Sequence, residues 1–222
     1  MSNEREVRYM PMEVRTEEEK EGVITGYPIV FNQETDLGGG IREVIMPEAI
    51  GDGKILRDVA LMVGHDFGMI PLAHSRNNNE NSTMQLTPDT HGVHMRAVLD
   101  VDHNPKAAEV YSAIKRGDVS GMSFAFIVDK EEWEGVDTDS PLRRVTGFSK
   151  IFECSIVAFP AYPGTSVQAA SESDALESVK ESLESERQRL ANERAREAEL
   201  ERRTAAWERL ENLKKEVRES EV

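Results

Sequence analysis

Apolar positions in this chain come in short alternating runs up to residue 159 and then thin into widely spaced leucines. The first region therefore predicts strands and the second a helix. Residues 23–31 carry Val, Ile, Tyr and Phe, the side chains that fit a pleated, half-buried surface. Pro28 inside that run lacks a ladder donor and marks an edge or a bulge. Residues 41–45, 59–63, 70–74, 82–86, 91–99, 122–128, 143–149 and 151–159 read as further strands. In residues 91–99 the alternation puts Val93, Met95, Ala97 and Leu99 on one face. Residues 32–40 read as a loop ending in three glycines, and Pro47-Glu48-Ala49-Ile50 as a short helical turn. Residues 104–116 read as a helix with Asn104 as N-cap, Pro105 at its first position and Gly117 as its stop. Ala108, Tyr111, Ala113 and Ile114 form its apolar side. Many short strands with one or two helices predict a mainly β domain with flanking helices, closed or half-closed into a barrel.

The ends differ from this core. Residues 1–21 are polar and charged and read as a flexible leader, with a short edge strand at Glu13-Val14-Arg15. Residues 174–222 hold no Gly and no Pro and are dense in Glu, Arg and Lys, the composition of a long helix. Leu176, Leu183 and Leu190 are spaced by sevens, as are Leu200 and Trp207 in another register, while Glu186, Glu193 and Glu197 interrupt the stripe. This is a thin, partner-dependent coiled-coil seam. Residues 166–173, rich in Ala and Ser, read as the linker.

Charge narrows the function classes. The net charge is −15, and an acidic chain repels phosphate backbones, so nucleic acid is not the expected partner. The one cysteine, Cys154, excludes an internal disulfide and fits a reducing compartment. The N-terminal residues have no apolar signal core, and no run approaches the length of a membrane span. The expected setting is a cytoplasm, with proteins as partners and no membrane.

Three residue types then stand out. Ser123, in Gly121-Met122-Ser123-Phe124, has a small neighbour and opens an apolar strand; it is a candidate nucleophile or a strand-end serine bonding its own backbone. His65 ends an apolar run in Gly64-His65-Asp66 and is a candidate general base or a loop histidine. Glu153 sits in an otherwise apolar strand, where a carboxylate requires a partner. That partner is an imidazole to orient or a guanidinium at Arg143 or Arg144. Cys154 is a poor nucleophile, since the adjacent Glu153 disfavours a thiolate and alternation turns the two to opposite faces. His91 and His94 point to opposite faces of an extended segment, and neither they nor His74 and His103 complete a zinc set. No cofactor or metal is expected. There is no G-x-S-x-G elbow, Walker loop or dinucleotide fingerprint.

Five blocks in order resemble the caudovirus prohead protease family. They are Gly26-Tyr27-Pro28-Ile29-Val30-Phe31-Asn32, Arg42-Glu43-Val44-Ile45-Met46-Pro47-Glu48-Ala49-Ile50, Gly64-His65-Asp66, Gly117-Asp118-Val119-Ser120-Gly121-Met122-Ser123-Phe124-Ala125-Phe126, and Glu153-Cys154-Ser155-Ile156-Val157-Ala158-Phe159-Pro160-Ala161-Tyr162-Pro163. The resemblance spans residues 22–168, which makes residues 1–21 the leader, 22–168 the catalytic domain and 169–222 the linker and helical tail. It implies an assemblin-like β-barrel serine protease, with His65 and Ser123 in the family's catalytic positions. The third member is Glu153 or Asp66, with Glu153 the first choice. Backbone amides around Ala161 and Tyr162 are the expected oxyanion donors. Gly64 stands where the family often has asparagine, Ala125 where it often has glycine, and Cys154 where valine is common. The implied function is a serine endopeptidase acting inside the assembling prohead in the host cytoplasm. It would cut scaffold, the scaffold-like region of the capsid protein and itself. The helical tail would dock on scaffold, and a homodimer is compatible. The alternatives are an assembly protein that keeps the fold without cleaving, and a β-barrel binding module unrelated to capsids.

Overall fold

The computed structural model describes residues 5–10, 14–17, 20–158 and 169–220. The chain divides into two compact units, Met1–Lys180 and Glu181–Val222.

The first unit is built on eleven described strands and one complete helix. In chain order they are β1 (Glu6–Met10), β2 (Arg15–Thr16), β3 (Val23–Val30), β4 (Thr35–Gly38), β5 (Ile41–Ile45), β6 (Ala60–Val63), β7 (Ala73–His74), β8 (Met84–Pro88) and β9 (Gly92–Val98), then α1 (Pro105–Arg116), β10 (Gly121–Glu134) and β11 (Leu142–Val157). Two short 3-10 turns, Pro47–Ile50 and Lys54–Leu56, lie between β5 and β6. The strands form two sheets. One is seven-stranded, in the order β1-β10-β11-β5-β4 with β6 and β7 branching from β11. The other is four-stranded, β2-β3-β9-β8. A mainly β class with helices at the flanks is what the alternation predicted. The strands are distributed between two hydrogen-bonded sheets rather than one closed barrel.

β11 organises the larger sheet. It pairs antiparallel with β10 along most of its length, and parallel with β5 at its start and β6 at its end. The sequence predicted two strands here, over 143–149 and 151–159. The structure joins them into one strand of 16 residues. Extra residues in β11 at Thr146, Ser149 and Phe152, against one in β10 at Asp129, let Phe148 and Ile151 both turn inward although they are three apart. Residues 70–74 were also expected as a strand. Only Ala73–His74 pairs, and Ile70 is exposed. The loop expected over 32–40 contains β4, paired with β5.

The second sheet follows the pattern closely. Val93, Met95, Ala97 and Leu99 are all buried. The β3–β9 register slips between Gly26 and Ile29, around Pro28, whose ring nitrogen has no hydrogen to donate. α1 has Asn104 capping the amides of Lys106 and Ala107 and Gly117 in the left-handed region at its end. Its buried face is Ala107, Val110, Tyr111 and Ile114, shifted from the expected set: Ala108 and Ala113 are half-buried.

Within residues 1–21, expected as a leader, the structure contains two strands. β2 pairs with β3, and β1 pairs with β10. β1 is held by charge. Arg8 donates to both carboxylate oxygens of Glu43, at 2.6 and 2.9 Å, and also pairs with Glu6. Glu6 in turn bonds Arg143, which also reaches Glu43 and Glu131. Glu6, Arg8, Glu43 and Arg143 are all buried. Burial disfavours the charge on Glu43, but Arg8 and then Arg143 outweigh it, so its carboxyl titrates below the usual range. Burial likewise opposes the charge on Arg143, and the carboxylates of Glu43 and Glu6 overcome it.

The second unit is helical. α2 runs over Ala169–Ser220, so part of the expected linker is helix. In residues 181–222 charged side chains dominate, and Leu200, Trp207, Leu210 and Leu213 are exposed.

Candidate active site

Three neighbouring strands, β10, β11 and β6, deliver the side chains. Ser123 of β10 lies directly opposite Ser155 of β11. Opposed residues share a face of the sheet, and so do residues two apart in one strand. Glu153, two before Ser155, therefore emerges beside both. β6 runs parallel to β11, with Val63 opposite Ile156, and His65 follows at its C-terminal end.

A tight turn aims the imidazole. Gly64 and His65 both have φ of 60°, and the Asp66 amide closes the turn onto the Val63 carbonyl at 3.2 Å. Positive φ is rare for a side-chain-bearing residue and costs on the order of 1 kcal/mol. Glycine accepts it freely at position 64, and asparagine would accept it better than most residues. The His65 conformation is held in place by its own amide, which donates to Ser155 Oγ at 3.0 Å, and by the Gly64 amide, which donates to the Ile156 carbonyl at 3.0 Å.

The side chains then form a succession. His65 Nδ1 is 2.6 Å from Glu153 Oε1, and His65 Nε2 is 2.8 Å from Ser123 Oγ. Ser155 Oγ donates to Glu153 Oε2 at 2.6 Å. Glu153 is thus engaged at both oxygens while wholly buried, as are Ser123 and Ser155; the imidazole is 13% exposed. With Nδ1–H given to the carboxylate, Nε2 is left as the acceptor facing the serine hydroxyl. Such an arrangement can take the serine proton and stabilise the imidazolium that results.

The competing partners go elsewhere. Arg143 serves Glu6, Glu43 and Glu131, and Arg144 pairs with Glu134, so neither binds Glu153. Asp66 Oδ1 accepts the Gly68 amide at 2.9 Å, a turn interaction of its own loop. Cys154 points into the core, where burial and then the Glu153 charge push its thiol well above the ordinary range. His91 and His94 do not face opposite ways. His91 precedes β9, and both rings stand edge-on to Tyr27, with centroids 4.7 and 5.1 Å away. Among the described residues no His, Cys, Asp and Glu cluster suits a metal. Ala161 and Tyr162, the expected oxyanion donors, lie outside the described residues.

Two participants were missed in the sequence. Ser155 was readable, because strand periodicity puts it on the Glu153 face. Arg8 was not: its carbonyl oxygen accepts the Ser123 hydroxyl at 2.7 Å, a contact spanning 115 residues.

Comparison with known proteins shows the chain's family. The caudovirus prohead serine protease family matches residues 10–181. The prohead protease of Enterobacteria phage HK97 is 27% identical over 164 residues, covering 73% of this chain and 66% of that protein. No solved structure matches at a significant level. The family match covers well over half of the sequence and includes the strands that carry Ser123, His65 and Glu153. On that extent of agreement, the chain belongs to the caudovirus prohead serine protease family.

Proposed function

We propose that this chain is a prohead endopeptidase in which Ser123 is the nucleophile, His65 the general base and Glu153 the group that orients the imidazole. The observation that carries the reading is the succession of short contacts, Ser123 Oγ to His65 Nε2 at 2.8 Å and His65 Nδ1 to Glu153 Oε1 at 2.6 Å. His65 takes the hydroxyl proton as Oγ attacks a peptide carbonyl, and returns it to the leaving amine. Glu153 offsets the imidazolium charge from a dry position, where a fixed carboxylate acts strongly. Water then attacks the acyl-enzyme by the same route in reverse.

The substrates in this reading are proteins of the prohead: scaffold, the scaffold-like region of the capsid protein, and the protease itself. The charged helix α2 favours such partners. Its exposed Leu200, Trp207 and Leu210 lie at coiled-coil spacing and suit a helical scaffold surface. Docking would confine the enzyme with its substrates inside the shell and raise its effective concentration there. Pairing of two copies through the same helix is compatible with this seam.

The test is direct. The purified chain should acquire self-processing products with time, and a serine-directed fluorophosphonate should label Ser123. Ser123→Ala and His65→Ala should abolish both. A Ser123→Ala chain that fragments like its parent would exclude Ser123 as nucleophile and leave the non-cleaving assembly protein as the better reading.

A further inference from the structure

Ser123 is fully buried, yet a nucleophile must meet a substrate. On the side away from β11, Ser123 is flanked by β1. This strand occupies the edge of the larger sheet beside β10, with Tyr9 in register with Ser123 and Arg8 with Phe124. The Arg8 carbonyl oxygen stands 2.7 Å from Ser123 Oγ and accepts its hydroxyl. Ser123 has one hydroxyl hydrogen and two acceptors within reach, this carbonyl and His65 Nε2. While the carbonyl holds that hydrogen, the base does not.

The side chains of β1 are bound as a ligand's would be. Arg8 reaches both oxygens of Glu43, a fork-to-fork contact, and packs over Phe126 at 5.3 Å from the ring centroid. Glu6, on the same face two residues earlier, meets Arg143 with both oxygens, at 2.7 and 3.0 Å. β1 and β5 are not hydrogen-bonded neighbours, so Glu43 grips Arg8 by its side chain alone. Glu6 and Arg8 also precede the residues matched by the family.

We propose that the edge of β10 beside Ser123 is a peptide-binding site. It pairs an incoming chain as an added antiparallel strand, with β1 as its resident intramolecular occupant. Glu43 selects a basic residue whose carbonyl lies at Ser123, and Arg143 selects an acidic residue two positions before it. The ligand class is an extended peptide of pattern acidic–any–basic, recognised by main-chain pairing and two charged contacts. Release of β1 uncovers the nucleophile and frees its hydrogen for His65. This inference rests on the proposed role of Ser123, and the experiment separates the two.

The full-length chain and its Arg8→Ala version are compared in two assays. In the first, fluorescence anisotropy follows a labelled peptide with the sequence of residues 5–10. It should bind the Arg8→Ala chain at least tenfold more tightly than the parent, whose own strand fills the site. In the second, fluorophosphonate should label Ser123 at least tenfold faster in Arg8→Ala. Excess free peptide should slow that labelling again, and a peptide carrying Arg8→Glu should not. Arg8→Gln, which keeps the polar stem, carries the same comparison should alanine prevent folding. Equal peptide affinity for parent and variant, or equal protection by the charge-reversed peptide, overturns the proposal. Absence of Ser123 labelling in every chain, with preferential peptide binding retained, rejects the nucleophile while leaving the strand site standing.

Discussion

Replacing Ser155 by alanine isolates a wholly buried part of the proposed active site. Its hydroxyl donates to Glu153 Oε2 at 2.6 Å and accepts the His65 amide at 3.0 Å. Both bonds fix the geometry of the carboxylate–imidazole pair, and both vanish in the variant. A hydrogen bond to a charged group is worth about 1.5–3 kcal/mol. If about 2 kcal/mol of that is expressed only when the imidazolium forms, the rate falls about 30-fold, at about 1.4 kcal/mol per decade. Substrate contacts are untouched, so the loss should appear in kcat with KM within about twofold. The assay is the rate of self-processing followed by intact mass, together with the rate of fluorophosphonate labelling at Ser123. Ser155→Thr, which retains the hydroxyl, should recover much of the loss. Activity of Ser155→Ala within about threefold of the parent, in a chain that folds normally, would show that Glu153 is positioned without it.

Further expectations concern stability and reactivity. Arg143→Met removes the cation shared by Glu6, Glu43 and Glu131, and should cost about 3–5 kcal/mol in urea unfolding, as for a broken buried ion pair. Glu43 titrates below its ordinary value of 4.5 in the folded chain, so its stabilisation is complete above that pH. It is lost as pH falls through the lower folded value; thermal melts from pH 7 to 3 should show this decline, and Glu43→Gln should flatten it. A Cβ at Gly92 would stand 2.1 Å from the Ile29 carbonyl, so Gly92→Ala should separate β3 from β9 and lower stability by about 2 kcal/mol or more in the same urea assay. Cys154 is 1% exposed and its thiol is pushed up by burial, so a thiol reagent should react with it only after unfolding; fast reaction in the native chain would contradict its packing.

The alternation of β9, the caps of α1 and the apolar run of β6 were legible because each is a local pattern with a local cause. So were the residue types at 65, 123 and 153, although only a resemblance joined them across 58 and 30 residues. β1 was illegible for a physical reason. Glu6 and Arg8 look like solvated charges until Glu43 and Arg143 are known to face them, and those partners lie 35 and 137 residues away. The run at 70–74 erred the other way: Ile70 has strand-forming chemistry but no neighbouring strand to pair with, and alternation does not reveal pairing. β11 was split at residue 150 because its alternation breaks there, and the break is real: three bulged residues in β11 interrupt the period while the pairing with β10 continues.

The length of β11 makes the chain intolerant of one class of sequence change. Its early part carries Arg143 and its late part Glu153 and Ser155, measured off along a single rod. Loss of a paired residue from its middle, unlike loss of a bulged one at Thr146, Ser149 or Phe152, would turn over everything beyond the cut. Cys154 and Ile156 would then be presented to the imidazole, and the acid would be driven in among the phenylalanines. Length variation between natural or engineered versions should therefore collect in the 135–141 connection and at those bulges, not in the evenly paired stretch Glu153–Val157.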